Sequence, residues 1–270
     1  METTTSKGSP VPEMPASGPS GHGLLVGRTV VVTAAAGTGI GSATARRCAE
    51  EGARVVISDR HERRLAETGD MLAALTGERP LAIPCDVTDP QQVDSLFRTV
   101  VKELGSFDIL VNNAGLGGTA NVMDMTDEQW HSVLGVTLTG TFYCTRAALP
   151  YLVRQGRGAI VNNASVLGWR AQAAQAHYAA AKAGVMALTR CTAMEVAQSG
   201  VRVNAVAPSI AMHENLAKAA GEELLNQLAS REAFGRAAAP WEVANVIIFL
   251  ASDYSSYMTG EVISVSSQHA

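Results

Sequence analysis

Short β-branched runs alternate with alanine-rich helical stretches along most of this 270-residue chain, and that alternation restricts the fold more than any single motif. Thr29–Thr33, Arg54–Ser58, 81–85, 108–112, Ala159–Ala164, Val201–Val206 and Glu261–Val265 read as strands. Between them, helical stretches end at Glu51, span 61–76 and 90–104, and run from Asp127 to Gln155 with a break expected near Pro150. Two more are predicted over 176–198 and Trp241–Ser252. Strands separated by helices of this length pair in parallel, and the helices must then cover both faces of the sheet. The expectation is an α/β fold: a doubly wound parallel sheet of about seven strands in a three-layer αβα domain.

In such a sheet, ligands bind beyond the carboxyl ends of the strands. Three groups of residues fall there. The first strand runs into Ala34, Ala35, Ala36, Gly37, Thr38, Gly39, Ile40 and Gly41 before a helix begins. Glycines at that turn let the backbone approach a pyrophosphate at the helix N-terminus, where free N–H groups and the helix dipole favour anions. Asp59 ends the second strand, 18 residues past Gly41, where a carboxylate can accept hydrogen bonds from an adenosine ribose.

The third group is Ser165, Tyr178 and Lys182. Ser165 follows the fifth strand, and Tyr178 and Lys182 stand four residues apart on a predicted helix, on one face and about 6 Å apart along its axis. A tyrosine with its ordinary pKa of about 10 is a poor acid and base at neutral pH. A cation within about 4–6 Å favours the phenolate, which makes Lys182 the natural partner. Ser165 could hold the same oxygen that Tyr178 protonates.

Composition excludes little but helps. A net charge of −4 gives no reason to expect nucleic acid or an anionic membrane surface as partner. Cys48, Cys85, Cys144 and Cys191 lie far apart, with no Cys/His spacing suited to a metal, and read as reduced thiols of a cytoplasmic protein. No run of apolar residues is long enough to span a membrane. Residues 1–23 read as a disordered lead rather than a signal peptide, leaving 24–270 as one domain with a substrate loop at about 207–239. The sequon Asn163-Ala164-Ser165 sits at a strand end and reads as chance.

Together with Asn112, Asn113, Ala114 and Gly115 after the fourth strand, the glycine turn, Ser165 and the Tyr178/Lys182 pair resemble the short-chain dehydrogenase/reductase family. The resemblance extends from Arg28 to Val265 and includes Pro208, the run Phe249–Asp253, Thr259 and Gly260. It implies a Rossmann-like fold, a nicotinamide cofactor, and hydride transfer between a carbinol carbon and the nicotinamide ring. Tyr178 would be the acid/base and Ser165 the orienting hydroxyl. Lys182 would hold the nicotinamide ribose and lower the tyrosine's pKa. Gly37, Thr38, Gly39, Ile40 and Gly41 would form the phosphate loop, with Asp59 and Arg60 near the adenosine ribose. Asp86 and Val87 match the adenine-contacting pair, Asn113, Ala114 and Gly115 lie beneath that ribose, and Pro208 and Ile210 are further cofactor-binding residues.

The carboxylate of Asp59 would repel the 2′-phosphate of NADP, whereas Arg60 could pair with it; the balance favours NAD. Within the family the chain looks most like 3-oxoacyl thioester reductases, and its glycine turn and tail are similar to a subset associated with bacterial steroid-ring or acyl-CoA catabolism. The implied substrate is thus a small-molecule alcohol, ketone or acyl thioester. Family members commonly assemble as homotetramers or homodimers through the long helices after strands four and five. The alternative reading is a cofactor-binding regulator with little turnover.

Several positions depart from the family pattern. Ala34 stands where the first glycine is usual, Thr137 where the catalytic asparagine would align, and Ser209 follows Pro208 in place of glycine. His213 occupies a position where a threonine often contacts the carboxamide. The tail Val265, Ser266, Ser267, Gln268, His269 replaces Asp-Gly-Gly. Trp169 and Leu167 are candidates for an apolar substrate wall, and Met212–Ala220 for a lid. His177 beside Tyr178 is not read as a second base, because neighbours on a helix point about 100° apart, and His213 and His269 read as surface or loop residues.

Overall fold

Seven parallel strands in the order β3-β2-β1-β4-β5-β6-β7 form the middle layer of the structure, a computed structural model that describes residues 17–212 and 222–267. The strands are β1 (Thr29–Thr33), β2 (Arg54–Asp59), β3 (Leu81–Pro84), β4 (Ile109–Asn112), β5 (Gly158–Asn163), β6 (Val201–Pro208) and β7 (Val262–Val265). The helices are α1 (Ile40–Glu50), α2 (Glu62–Thr76), α3 (Pro90–Leu104), α4 (Asp127–Leu134), α5 (Gly140–Gln155), α6 (Ala176–Val196), α7 (Glu222–Ala229) and α8 (Pro240–Ala251). The strand order reverses between β1 and β4, which pair directly, Val31 opposite Leu110. That switch point opens the crevice in which ligands of such sheets bind.

Side chains on alternate strand residues enter opposite cores. Val30 and Val32 of β1 pack with Ile57, Val111, Val243 and Ile247 on the α1/α8 side. Val31 packs with Val56, Leu110, Ile160, Leu96 and Phe97 on the α3/α5 side. Both faces are dry, which is why these strands read as continuous apolar runs rather than alternating ones.

The long helical stretch is interrupted, but not at Pro150. α5 runs through that proline, and a five-residue π-helical turn, Gly135–Thr139, separates α4 from α5 instead. Pro150 and Arg146 are both exposed, so the carbonyl that loses its donor at Arg146 has water available.

Two asparagines knit β4 to β5 inside the fold. They stand opposite each other, and Asn112 Nδ2 donates to Asn162 Oδ1 at 2.9 Å and to Thr145 Oγ1 at 3.0 Å. Asn162 Nδ2 continues the chain to Thr189 Oγ1 at 2.9 Å, which itself donates to the Val185 carbonyl. This ladder fastens α5 and α6 to the sheet below the site.

The chain ahead of β1 is tied down at Glu51. Its carboxylate, 1% exposed, accepts from the backbone of His22 and Leu24 and from Arg47, and Arg47 also reaches the Pro19 carbonyl. Among the described residues no helix is long and apolar enough to cross a membrane.

Candidate active site

The residues singled out from the sequence converge along the carboxyl edge of the sheet, starting with the turn after β1. Ala34 opens this turn with φ +47°, a left-handed conformation that is unusual for alanine. Gly37 has φ +92°. At Gly41 an added Cβ would lie 2.1 Å from the Ala34 carbonyl oxygen and 2.4 Å from Asn113 Nδ2, so only glycine fits. Ile40 starts α1 without a side-chain cap or an acidic residue in its first turn, so its amides are left for an anion. Thr38 is exposed at the tip of this cradle.

Asp59 is 9% exposed and fixed at both oxygens, one accepting from the Ala36 amide at 3.3 Å and the other from the His61 amide at 2.9 Å. Its charge is therefore held against the glycine turn. Arg60 points to the surface, with Nε 3.4 Å from His61 Nε2. A phosphate cradle with an anchored acid beside it fits a dinucleotide.

Beyond β3, Asp86 accepts from the amide and hydroxyl of Thr88 at 2.9 and 2.7 Å. Val87 is buried against Gly140, where an added Cβ would lie 2.6 Å from Val87 Cγ2. The Thr33 hydroxyl accepts from the amides of Asn113 and Ala114 at 3.0 and 3.3 Å, bending the chain out of β4 toward Gly115.

Lys182 is 3% exposed and donates to the Asn163 carbonyl at 2.5 Å. Its Nζ lies 5.6 Å from the centroid of the Tyr178 ring, so the pair does share one face of α6. Ser165 is buried at the end of β5, and its Oγ accepts from the Leu167 amide at 3.2 Å. Burial raises the pKa of the half-buried Tyr178 above its ordinary value, while a hydrogen bond with Ser165 pulls it down. Burial also brings Lys182 down to about 7.

The expected depression of the tyrosine by Lys182 is thus not what the chain's own groups produce. Desolvation dominates at both residues, and the ammonium is bonded to a backbone carbonyl. A phenolate here calls for further positive charge.

Thr137 is fully buried within the π turn and meets Leu116 twice. Its Oγ1 accepts from the Leu116 amide at 3.0 Å and donates to the Leu116 carbonyl at 3.1 Å. An added Cβ on Gly115 would lie 3.5 Å from Lys182 Nζ and 3.9 Å from Thr137 Oγ1, so that glycine separates the two. The threonine ties down the loop beside Lys182, a role its sequence position alone did not display.

His177 is 1% exposed and lies against Gly118, its Nε2 3.0 Å from where a Cβ there would stand. Pro208 is buried at the end of β6, and the Ile210 carbonyl accepts from the Ala238 amide at 2.8 Å. Trp169 is 52% exposed just past Ser165, and Leu167 is half-buried. The altered tail closes locally: Ser209 and Ser267 both donate to Glu232 Oε2, at 3.1 and 3.3 Å. His213, His269 and the lid expected over Met212–Ala220, apart from Met212 itself, lie outside the described residues.

A doubly wound sheet with a phosphate cradle at its switch point, a serine just past β5 and a Tyr/Lys pair on the helix that follows defines a nucleotide-dependent oxidoreductase. The chain belongs to the short-chain dehydrogenase/reductase family: a family model described as Enoyl-(Acyl carrier protein) reductase matches residues 34–267.

Among its relatives is a Mycobacterium tuberculosis protein, 65% identical over 93% of this chain and 96% of its own length. That protein is named (5R,7aS)-5-hydroxy-7a-methyl-1-oxo-2,3,5,6,7,7a-hexahydro-1H-indene-carboxyl-CoA reductase. A 3-oxoacyl-[acyl-carrier-protein] reductase of Thermotoga maritima is 41% identical over 89% of this chain and 97% of its own. The crystal structure of a short chain dehydrogenase from Mycobacterium smegmatis superposes with a TM-score of 0.85 at 61% identity, covering 96% of this chain and 99% of that one.

Proposed function

We propose that the protein is an NAD-dependent dehydrogenase/reductase acting on a ring alcohol or ketone of a polycyclic acyl-CoA ester. The observation that carries this reading is the convergence of Ser165, Tyr178 and Lys182 at the mouth of the crevice that the glycine turn and Asp59 also line. The similarity to the indene-carboxyl-CoA reductase supports the substrate class. Exposed Trp169, just past Ser165, supplies apolar surface suited to a fused ring.

When bound, the cofactor supplies the hydride acceptor or donor and, in its oxidised form, positive charge. The rest is done by the chain. The phenol of Tyr178 gives a proton to, or takes one from, the substrate oxygen, and the Ser165 hydroxyl donates to that same oxygen. Lys182, held by the Asn163 carbonyl, orients the ribose and favours the phenolate once further positive charge is present. Gly37, Thr38, Gly39, Ile40 and Gly41 seat the pyrophosphate. Asp59 accepts from the adenosine ribose and disfavours a 2′-phosphate, with Arg60 outside. Asp86, Val87, Asn113, Ala114 and Gly115 flank the adenosine half, and Pro208 and Ile210 the nicotinamide half. The protein works in the cytoplasm as a homotetramer or homodimer.

The test is a panel of simple secondary alcohols, 3-hydroxyacyl thioesters and hydroxylated fused-ring CoA esters, scored by NADH fluorescence. Turnover is expected with the fused-ring esters and NAD. Binding of NADH with no turnover of any member would overturn the reading in favour of a regulator.

A further inference from the structure

We propose that Asn163 is a positioning residue that couples the glycine turn to the Lys182 ammonium. Its backbone carbonyl accepts from Lys182 Nζ at 2.5 Å, while its side-chain Nδ2 donates to Asn113 Oδ1 at 2.9 Å. Asn113 Nδ2 in turn donates to the Ala34 carbonyl at 3.1 Å, at the left-handed residue that opens the turn. Two side-chain hydrogen bonds thus lead from the residue that holds the ammonium to the backbone that would carry the pyrophosphate.

The orientation of both amides follows from donor and acceptor accounting. The Ala34 carbonyl can only accept, so the amino group of Asn113 must face it. That leaves Asn113 Oδ1, an acceptor, toward Asn163, whose amino group must then face Asn113. Asn163 Oδ1 is left buried with no hydrogen-bond partner. An orphaned buried carbonyl is a stability loss that an aliphatic residue of similar size would avoid. The side chain's contribution is therefore the bond to Asn113, and what that bond joins is the cofactor cradle and the proton-transfer cation.

The coupling rests on the reading of the site as a nicotinamide site, and the experiment separates the two. NADH and NADPH are titrated by fluorescence against wild type, Asn163→Leu, Asn163→Asp, Asn113→Leu and the Asn113→Leu/Asn163→Leu double variant from pH 6 to 9. Folding is checked by circular dichroism. In wild type, affinity is expected to vary with pH as Lys182 titrates. Asn163→Leu is expected to weaken binding about tenfold and to move the midpoint of that dependence down by about half a pH unit, because a loosened carbonyl holds the charged ammonium less well. Asn163→Asp keeps the shape of the side chain but adds a negative charge, and should move the midpoint up. The double variant should bind no worse than the weaker single one.

An unshifted midpoint with affinity within about twofold of wild type in both Asn163 variants would overturn the coupling while leaving the site reading intact. So would multiplicative losses in the double variant. Failure of folded wild type to bind either dinucleotide would overturn the site reading, and the coupling with it. Should Asn163→Leu not fold, Asn113→Leu, which removes the same hydrogen bond without adding charge, carries the comparison.

Discussion

A Cβ on Gly41 would stand 2.1 Å from the carbonyl oxygen of Ala34. The two residues bracket the turn, and their closeness explains why position 41 must be glycine, while alanine at 34 carries a left-handed φ of +47°. Gly41→Ala is expected to destabilise the protein by about 1–3 kcal/mol through overpacking, and to abolish measurable NADH binding. Ala34→Gly should leave stability within about 1 kcal/mol, since relief of the left-handed strain is offset by the greater freedom of glycine in the unfolded chain. Thermal melts and NADH titration check both.

Tyr178→Phe removes the proton-bearing oxygen and keeps the ring that packs beside Lys182. Turnover of any accepted alcohol should fall by about a hundredfold or more, with the NADH dissociation constant nearly unchanged. Retained turnover would remove Tyr178 from the acid/base role.

Lys182 titrates near 7 in the fold, well below its unfolded value of about 10.4. Between those values the unfolded chain binds more protons, so this residue's destabilising effect is full below pH 7 and fades as pH rises toward 10. It amounts to roughly 4 kcal/mol at neutral pH. Lys182→Met should flatten the rise of stability between pH 7 and 10 in denaturant titrations, while ending catalysis. An identical pH slope in the variant would show that Lys182 is not the buried titrating cation.

Asp59 holds its carboxylate against the turn through the Ala36 amide. Asp59→Ala should raise the ratio of NADP to NAD affinity about tenfold or more, with some loss of affinity for both as that amide is freed. A wild type already selective for NADP would refute the charge argument.

Thr137→Val keeps the shape of the side chain and removes both hydrogen bonds to Leu116. A loss of about 1–3 kcal/mol is expected in urea unfolding, because the Leu116 backbone loses its partners next to Lys182. Thr137→Asn should recover part of it.

Legibility from sequence followed the physics of each feature. The strands lie where β-branched runs announced them because both faces are buried and little competes with that pattern. Tyr178 and Lys182 fall on one face of α6 for the simple reason of helical period. The π turn at Gly135–Thr139 carries no comparable local signature, and Pro150 misled because an exposed proline in a long, well-packed helix can be tolerated. The pKa of Tyr178 could not be read from Lys182, since burial raises it and the hydrogen bond that pulls it down comes from Ser165. Nor could the tasks of Thr137 and Asn163, which depend on what approaches from elsewhere in the chain.

The paired asparagines at the ends of β4 and β5 also act as a registration mark for assembly of the sheet. Slide one strand by a single residue, and its side chains change faces while its backbone moves about 3.3 Å. Asn162 would then lose Thr189, Asn163 would lose Asn113, and the carbonyl now under Lys182 would be displaced. A chain that pairs wrongly therefore cannot build a working centre. Correct assembly and competence for chemistry are verified by the same few amide groups.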